Sequence, residues 1–540
     1  MQERRFRPFF NGGAPDTPLG LPRTTGSICP ECLQGISATL FEREGKVFME
    51  KSCPSHGAFE DLVSASAAVF LRMERYAAEG AWDLHNPVTE DPSLCPHGCG
   101  LCPGHLSPAA MTNLDLTNRC NLRCPFCFAN ANVQPYVYEP DFDQIKAMLD
   151  RTLSMGNRRM QAVQFSGGEP TLSPHFLEAC REVKRRGINM IQVATNGIRF
   201  AREPGFAEAA AQAGLNAAYL QFDGVGDEVY QVTRGVKGLW EVKQKAMEAF
   251  RRAGIRVTLV PTLIRGVNDD QVGAIVRYAV EHMDTIVGIS LQPVAFTGRI
   301  EQEKRLAQRY TSADAALDIE RQTGFLKAER DWFPFSVTVP FARVVDNVLG
   351  RDRNGFLPML CNAHPDCGLS AYLLVNQRTG FCMPVNELFD IDAVLRGLVD
   401  MERRSREGMA KPVAAAQFFA LLLRHFRPER APEGLGFFQL AKTIDAISGN
   451  RVMNIAKSRR YEWRLLFIAS MHFMDAYNYQ VDRVRRCTIH YSAPDGRLYP
   501  FCTYNCGHVF RDEVERAHSV PKDEWVRSRG AQYVTDGFVE

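Results

Sequence analysis

Cys120, Cys124 and Cys127 share one short loop, spaced C-x3-C-x2-C within MTNLDLTNRCNLRCPFCF at residues 111–128. Three sulfurs so close in sequence must converge on one point, which constrains the chain's path more than any other stretch. Just before them, Leu114 and Leu116 alternate with polar neighbours, the pattern of a short strand. Three thiolates do not complete a tetrahedral zinc site, which takes four ligands. They suffice for three irons of a [4Fe–4S] cube and leave the fourth iron open. The amino and carboxylate groups of S-adenosylmethionine (SAM) can chelate at such an iron. A zinc knuckle is the competing reading.

The chain has 540 residues and is too long for one simple core, so two or three domains are expected. Its net charge of +2 gives no field that would point to nucleic acid. The opening MQERRFRPFFNGG contains no apolar run of leader length. No stretch reaches the roughly 18 uninterrupted apolar residues of a spanning helix. A cytoplasmic location is therefore expected, with any membrane contact peripheral. In that reducing compartment, 16 cysteines falling in tight groups read as metal ligands rather than as a disulfide scaffold.

From 111 to about 300, strand-like and helical patterns alternate. Strands are predicted at 112–116, 162–166, 190–195, 218–222, 256–262 and 287–292. The predicted fold is α/β, with six βα units on a parallel sheet. It carries an N-terminal rubredoxin-like β knuckle (1–90), a cysteine-rich linker (91–110) and a C-terminal α+β domain (301–540). A parallel sheet places ligands at its strand ends. The candidates there are Ser166, Gly167, Gly168 and Glu169 after the second strand, Thr195 and Asn196 after the third, and Gln221 and Asp223 after the fourth. The glycines are expected to let backbone approach a bound amino acid.

The other cysteines form local sets of three. Cys29 and Cys32 make a C-x2-C, and Cys53 follows with His56 nearby, so the fourth ligand is either His56 or a later cysteine, Cys95 being nearest. Cys95, Cys99 and Cys102 repeat the C-x3-C-x2-C spacing without a strand before them, so the SAM triad is assigned to Cys120, Cys124 and Cys127. Cys361, Cys367 and Cys382 flank one hairpin pattern, with a turn at Gln377–Gly380. Cys487, Cys502 and Cys506 flank another, with a turn at Pro494-Asp495-Gly496. Cys180, on the apolar side of a helix, reads as an ordinary buried thiol. Twelve cysteines remain, which suits one mononuclear iron or zinc held by four cysteines and two fully ligated auxiliary [4Fe–4S] clusters. Residues 413–426 and 464–477 read as helices apolar nearly all round, buried or lying against something apolar. The aromatic stretch around Trp332, Phe333, Phe335 and Phe341 reads as core or as a wall for an apolar substrate.

Several segments together resemble the radical SAM superfamily and, within it, the tetraether lipid synthase family. They are ICPECLQGISATLFEREGKVFMEKSCPSHGAFE, CGLCPGH, LDLTNRCNLRCPFCFANAN, VQFSGGEPT, ATNGI, YLQFDGV, MHFMDAYNYQVDRVRRC and IHYSAPDGRLYPFCTYN. That family also carries an older assignment as a radical SAM methylase of 7,8-dihydro-6-hydroxymethylpterin. The resemblance is weakest at about 300–350 and 395–450. It implies a partial (β/α)6 TIM barrel, a SAM cluster on Cys120, Cys124 and Cys127, two auxiliary clusters and a rubredoxin-like iron. It also implies that Phe126 lies near the adenine, that the Gly167–Glu169 segment receives the SAM ammonium, and that Gln221 and Asp223 lie near the ribose. The implied reaction joins the ends of lipid chains by sp3 C–C coupling, with an apolar lipid as substrate and a reductant such as ferredoxin or flavodoxin. Radical methylation of a pterin or another small molecule is the alternative. An iron–sulfur carrier without catalysis is the reading from another class.

Overall fold

The computed structural model of the chain describes residues 18–78, 91, 95–107, 109–155, 162–297, 303–349, 361–441, 462–506 and 509–529. The opening run examined for a leader, and part of the predicted linker, lie outside them. The N-terminal unit is an antiparallel meander of β1 (Arg23–Ile28), β2 (Gly35–Arg43), β3 (Lys46–Cys53) and β4 (Gly57–Ser64). Its turns bring Cys29 and Cys32, which follow β1, towards Cys53 and His56 at the β3–β4 turn.

Six strands follow as predicted: β5 (Met111–Thr117), β6 (Ala162–Gly167), β7 (Met190–Thr195), β8 (Ala217–Gln221), β9 (Arg256–Val260) and β10 (Ile286–Pro293). They pair in sequence order and all parallel, with helices between them. One face of these strands, including Leu114, Leu116, Val163, Phe165, Ile191 and Val193, packs on helix residues such as Ile145, Met148, Phe176 and Phe250 to form the main core. Side chains alternate across a strand. Asn113, Asp115, Gln164, Ser166 and Gln192 therefore point to the other, concave face.

The C-terminal third extends the sheet at both edges. β11 (Gly368–Asn376) pairs antiparallel with β12 (Trp463–Met471), and β12 pairs parallel with β10. At the opposite edge β13 (Ile489–Ser492) pairs parallel with β5 and antiparallel with β14 (Leu498–Pro500). The helix expected at 464–477 is thus corrected to a strand over Trp463–Met471. Its run Leu465-Leu466-Phe467-Ile468 is apolar on both faces because it sits inside the sheet, and such a run lacks the alternation that marks a one-sided strand. The other apolar helix does form, at Lys411–Arg424, yet only Ala414 on it is fully buried.

A charged network ties the parts together. Arg309 is buried between Asp61 of β4 and Asp475 after β12. It donates to Asp475 at 2.6 Å and also pairs with Asp61. Arg309→Leu would leave buried carboxylates without this cation. A loss of about 3–5 kcal/mol is expected in urea unfolding, against under about 1 kcal/mol for cutting the exposed Arg43–Glu60 pair.

Candidate active site and metal centres

The cysteine loop leaves the C-terminal end of β5 and is held at two points. Asn132 accepts from the Cys120 N–H at 3.0 Å and donates to the carbonyls of Cys120 at 2.6 Å and Leu122 at 3.1 Å. Asn132 adopts φ +67, a left-handed conformation that asparagine tolerates better than most residues. From the other side, Gly168 N–H donates to Thr117 O and Glu169 N–H to Arg119 O, both at 2.8 Å. A Cβ on Gly167 would lie 2.3 Å from Thr117 O, and one on Gly168 would lie 2.2 Å from Arg119 O. The two glycines thus have a role the sequence reading did not anticipate. They let backbone approach the root of the cysteine loop.

Around the triad, polar groups are positioned by the strand ends. Glu169 is buried and accepts from Thr171 Oγ1 at 2.6 Å, Thr195 Oγ1 at 2.9 Å and Asn196 N–H at 2.9 Å. Asn196 donates to Asn121 Oδ1 at 2.6 Å, and its Nδ2 lies 4.0 Å from Cys120 Sγ. Asp223, also buried, accepts from Gln221 Nε2, Thr233 Oγ1, both Nε and Nη2 of Arg234, and Thr262 N–H. Its carboxylate is fully engaged by protein and fixes Arg234 beside the Cys124 sulfur. Lys243 donates to Asn196 O at 2.6 Å and to Gln221 Oε1 at 2.8 Å, and burial lowers its ammonium to about 7. Ser166 donates to Asp115 at 2.6 Å, and Asp115 is paired with Arg511. Phe126 packs with Ile264, Val294 and Phe296. Sequence reasoning missed Asn121, which lies inside the cysteine motif itself, and Asn132, Arg234, Lys243 and Arg511, which sit in helices or loops without a local motif.

Burial pushes the Cys120 thiol well above its ordinary range, and the neighbouring Cys124 pushes the same way. The Cys124 thiol is also raised by burial, against the opposing pull of Arg234. Ionised together, three such thiols need a polyvalent cation among them.

The N-terminal knuckle is a compact four-ligand site. Cys29, Cys32, Cys53 and His56 place their ligand atoms within 4.8 Å of one another. Cys32 Sγ and Cys53 Sγ are 3.9 Å apart, and His56 Nδ1 lies 3.7 Å from Cys29 Sγ and 3.5 Å from Cys53 Sγ. A tetrahedral ion with about 2.3 Å to sulfur and about 2.0–2.1 Å to nitrogen sets those edges near about 3.8 Å and about 3.6 Å. His56, hydrogen-bonded to Cys53, lowers that thiol to about 6. The expectation of four cysteine ligands is corrected: the fourth group is His56. His56→Ala should remove about one metal ion per chain by elemental analysis, whereas His56→Cys should retain it.

The remaining cysteines separate by place. Cys367, Cys487 and Cys502 lie within electrostatic reach of one another, Cys361 is near Cys367, and Arg483 faces both Cys367 and Cys502. Cys95 and Cys99 lie close to Cys102, and Tyr479 interacts with Cys95, Cys99 and Cys506. A shallow, mostly apolar depression there is lined by Ile28, Leu33, Pro96, His97, Tyr479 and Cys506, among others. Cys382 does not join either group. It pairs with Val375 near the turn, whereas Cys367 precedes Gly368 at the far end of β11. A strand rising about 3.3 Å per residue separates them by about 25 Å. The expected set of Cys361, Cys367 and Cys382 is therefore corrected: Cys382 sits near the turn of its hairpin, whereas Cys487 and Cys502 flank the two strands β13 and β14 at their open end.

The profile of the radical SAM superfamily matches residues 114–279, and that of the HMPTM N-terminal zinc ribbon domain matches residues 21–65. A 7,8-dihydro-6-hydroxymethylpterin dimethyltransferase from Methanocaldococcus jannaschii is 38% identical over 509 residues, covering 94% of this chain and 97% of the relative. The chain belongs to the radical SAM superfamily. A GTP 3′,8-cyclase from Chlorobaculum tepidum is 30% identical over 217 residues, 39% of this chain and 62% of the cyclase. The crystal structure of Streptococcus suis SuiB bound to S-adenosylmethionine aligns at 15% identity with a TM-score of 0.31, covering 55% of this chain and 68% of SuiB. Radical SAM membership implies a [4Fe–4S] cluster and SAM, and it makes the chain an enzyme rather than a carrier. The three-thiol loop fits that cluster, because its donor set is one ligand short of closure.

Proposed function

We propose that this radical SAM enzyme methylates a reduced pterin of the 7,8-dihydro-6-hydroxymethylpterin type, replacing C–H hydrogens by methyl groups. The full-length similarity to the Methanocaldococcus jannaschii dimethyltransferase carries this reading. It is supported by the concave face of the barrel, where Gln192 Nε2 donates to Gln164 Oε1 and Gln164 Nε2 donates to Asn113 Oδ1. Tyr219 continues the polar lining, with Ser290 and Gln292 as partners. Amide and hydroxyl groups match the donor and acceptor edges of a pterin better than a hydrocarbon chain.

With its cluster reduced by a ferredoxin or flavodoxin, the enzyme would split one SAM to methionine and a 5′-deoxyadenosyl radical able to take hydrogen from an unactivated carbon; a second SAM would give its methyl to that carbon and leave as S-adenosylhomocysteine, with a second electron from the reductant completing the neutral product. Cys120, Cys124 and Cys127 hold the cluster in this account. Asn196 and Arg234 lie against the Cys120 and Cys124 sulfurs, the Ser166–Glu169 segment braces the loop, and Phe126 would wall the adenine side. Thr195 fixes Glu169, and Gln221 with Asp223 orients Lys243 and Arg234. The eight cysteines 95, 99, 102, 506 and 361, 367, 487, 502 would form two fully ligated auxiliary clusters. Cys506→Ala should then lose about four irons with sulfide, while Cys382→Ser should lose none, as read by iron and sulfide analysis.

Coupling of lipid chain ends is the second reading, favoured by the exposed apolar helix Lys411–Arg424. The two separate by what stimulates 5′-deoxyadenosine formation in the reconstituted enzyme. A dihydropterin should raise it, and an apolar lipid should not; the reverse result would replace the first reading by the second.

A further inference from the structure

We propose that the helix Lys411–Arg424, with Phe438 beside it, docks the protein on the surface of an anionic bilayer. The proposal does not depend on which substrate the barrel takes. One face of this helix packs through Phe418, Leu421 and Leu422 on a smaller apolar cluster that includes Val394, Leu395, Leu398 and Phe437, and Phe418 packs on Phe341 at 4.9 Å between ring centres. The opposite face of a surface helix is ordinarily polar. Here it is apolar: Val413 is 47% exposed, Phe419 39% and Leu423 48%, with Ala415, Ala416 and Ala420 exposed between them. Phe438 extends the patch at 68% exposure, 6.0 Å from Phe419 between ring centres. A contiguous exposed patch of this kind marks an interaction surface.

Its charge pattern selects the partner. From Gly408 to Pro428 the chain carries Lys411, Arg424, His425 and Arg427 and no carboxylate; Arg427 is paired with Asp390 at 3.7 Å, so Lys411 and Arg424 carry the pattern. Lys411 and Arg424 stand at the two ends of the helix, and neither pairs with a carboxylate among the described residues. At about 1.5 Å per residue the helix is about 21 Å long, too short to span. No helix among the described residues is long and apolar enough to cross a membrane. A helix with apolar side chains outward and cations at both ends lies in the plane of the interface. Its apolar face then meets the acyl boundary while its cations meet lipid phosphates.

The test is flotation of the full-length protein with phosphatidylcholine vesicles containing or lacking phosphatidylglycerol. The unaltered protein should float with the anionic vesicles. Leu423→Glu and Phe419→Glu should each reduce this sharply. The pair K411E/R424E should cost about tenfold or more in affinity for anionic vesicles alone, and added salt should weaken binding in parallel. Failure of the unaltered protein to bind, or equal binding by the glutamate variants, would overturn the proposal. So would a dimer that Phe419→Glu converts to monomer without changing flotation, which would make a second copy the occupant. A lowered melting temperature in Phe419→Glu with unchanged flotation would show the face to be covered by the chain itself, and would also overturn it.

Discussion

Cys124→Ala should abolish 5′-deoxyadenosine formation and remove about four irons per chain, leaving the His56 site filled. The size of the effect follows from the geometry. Cys124 is one of only three thiols on the loop, and its sulfur faces Arg234, which Asp223 holds through two hydrogen bonds at 2.5 and 2.8 Å. With two thiols left, the cube loses a ligand on the side where the protein supplies positive charge. The uncatalysed route offers no fallback, because SAM cleavage here requires a bound, reducible cluster. Chromatography of the nucleoside product, beside iron and sulfide analysis, reads both effects. Persistent cleavage would move the SAM site elsewhere, with Cys95, Cys99 and Cys102 the next candidates.

Gly168→Ala should be nearly as damaging, although the residue touches no metal. The added Cβ would stand 2.2 Å from Arg119 O and 2.7 Å from Arg119 C. Both are backbone atoms, so no side-chain rotation relieves the clash. The loop root must shift by about 1 Å, and displacement on that scale at a reacting centre costs about 100-fold. SAM cleavage should fall by about that factor while the circular dichroism spectrum stays unchanged. The Gly35→Ala control, with nothing within 4 Å of its added Cβ and no left-handed backbone to strain, should leave cleavage intact.

The barrel was legible because each of its six strands is a short apolar run ending in Gly or polar residues, and β5 to β10 pair in that order. β12 was misread because burial on both faces erases period-two alternation. For the metal knuckle, spacing located Cys29, Cys32 and Cys53, but only the β3–β4 turn decides between His56 and a distant cysteine. Cys382 was grouped with Cys367 by proximity in sequence, while a full strand lies between them. Arg234 and Lys243 left no trace, since an arginine or lysine inside a helix usually reads as solvated surface. Their burial against Asp223, Cys124 and Gln221 is a product of tertiary packing alone. The 411–424 helix was recognised as apolar on all sides, but not that half of it faces outward.

Mass spectrometry of the products tests the central claim most directly. The reconstituted enzyme would be given a reductant, methyl-labelled SAM, 7,8-dihydro-6-hydroxymethylpterin and a membrane-lipid extract in one vessel. The account predicts labelled methyl groups on the pterin, unchanged lipids, and loss of the product with Cys124→Ala. Lipids of doubled chain length, lacking two hydrogens per bond formed, beside an unlabelled pterin would contradict it.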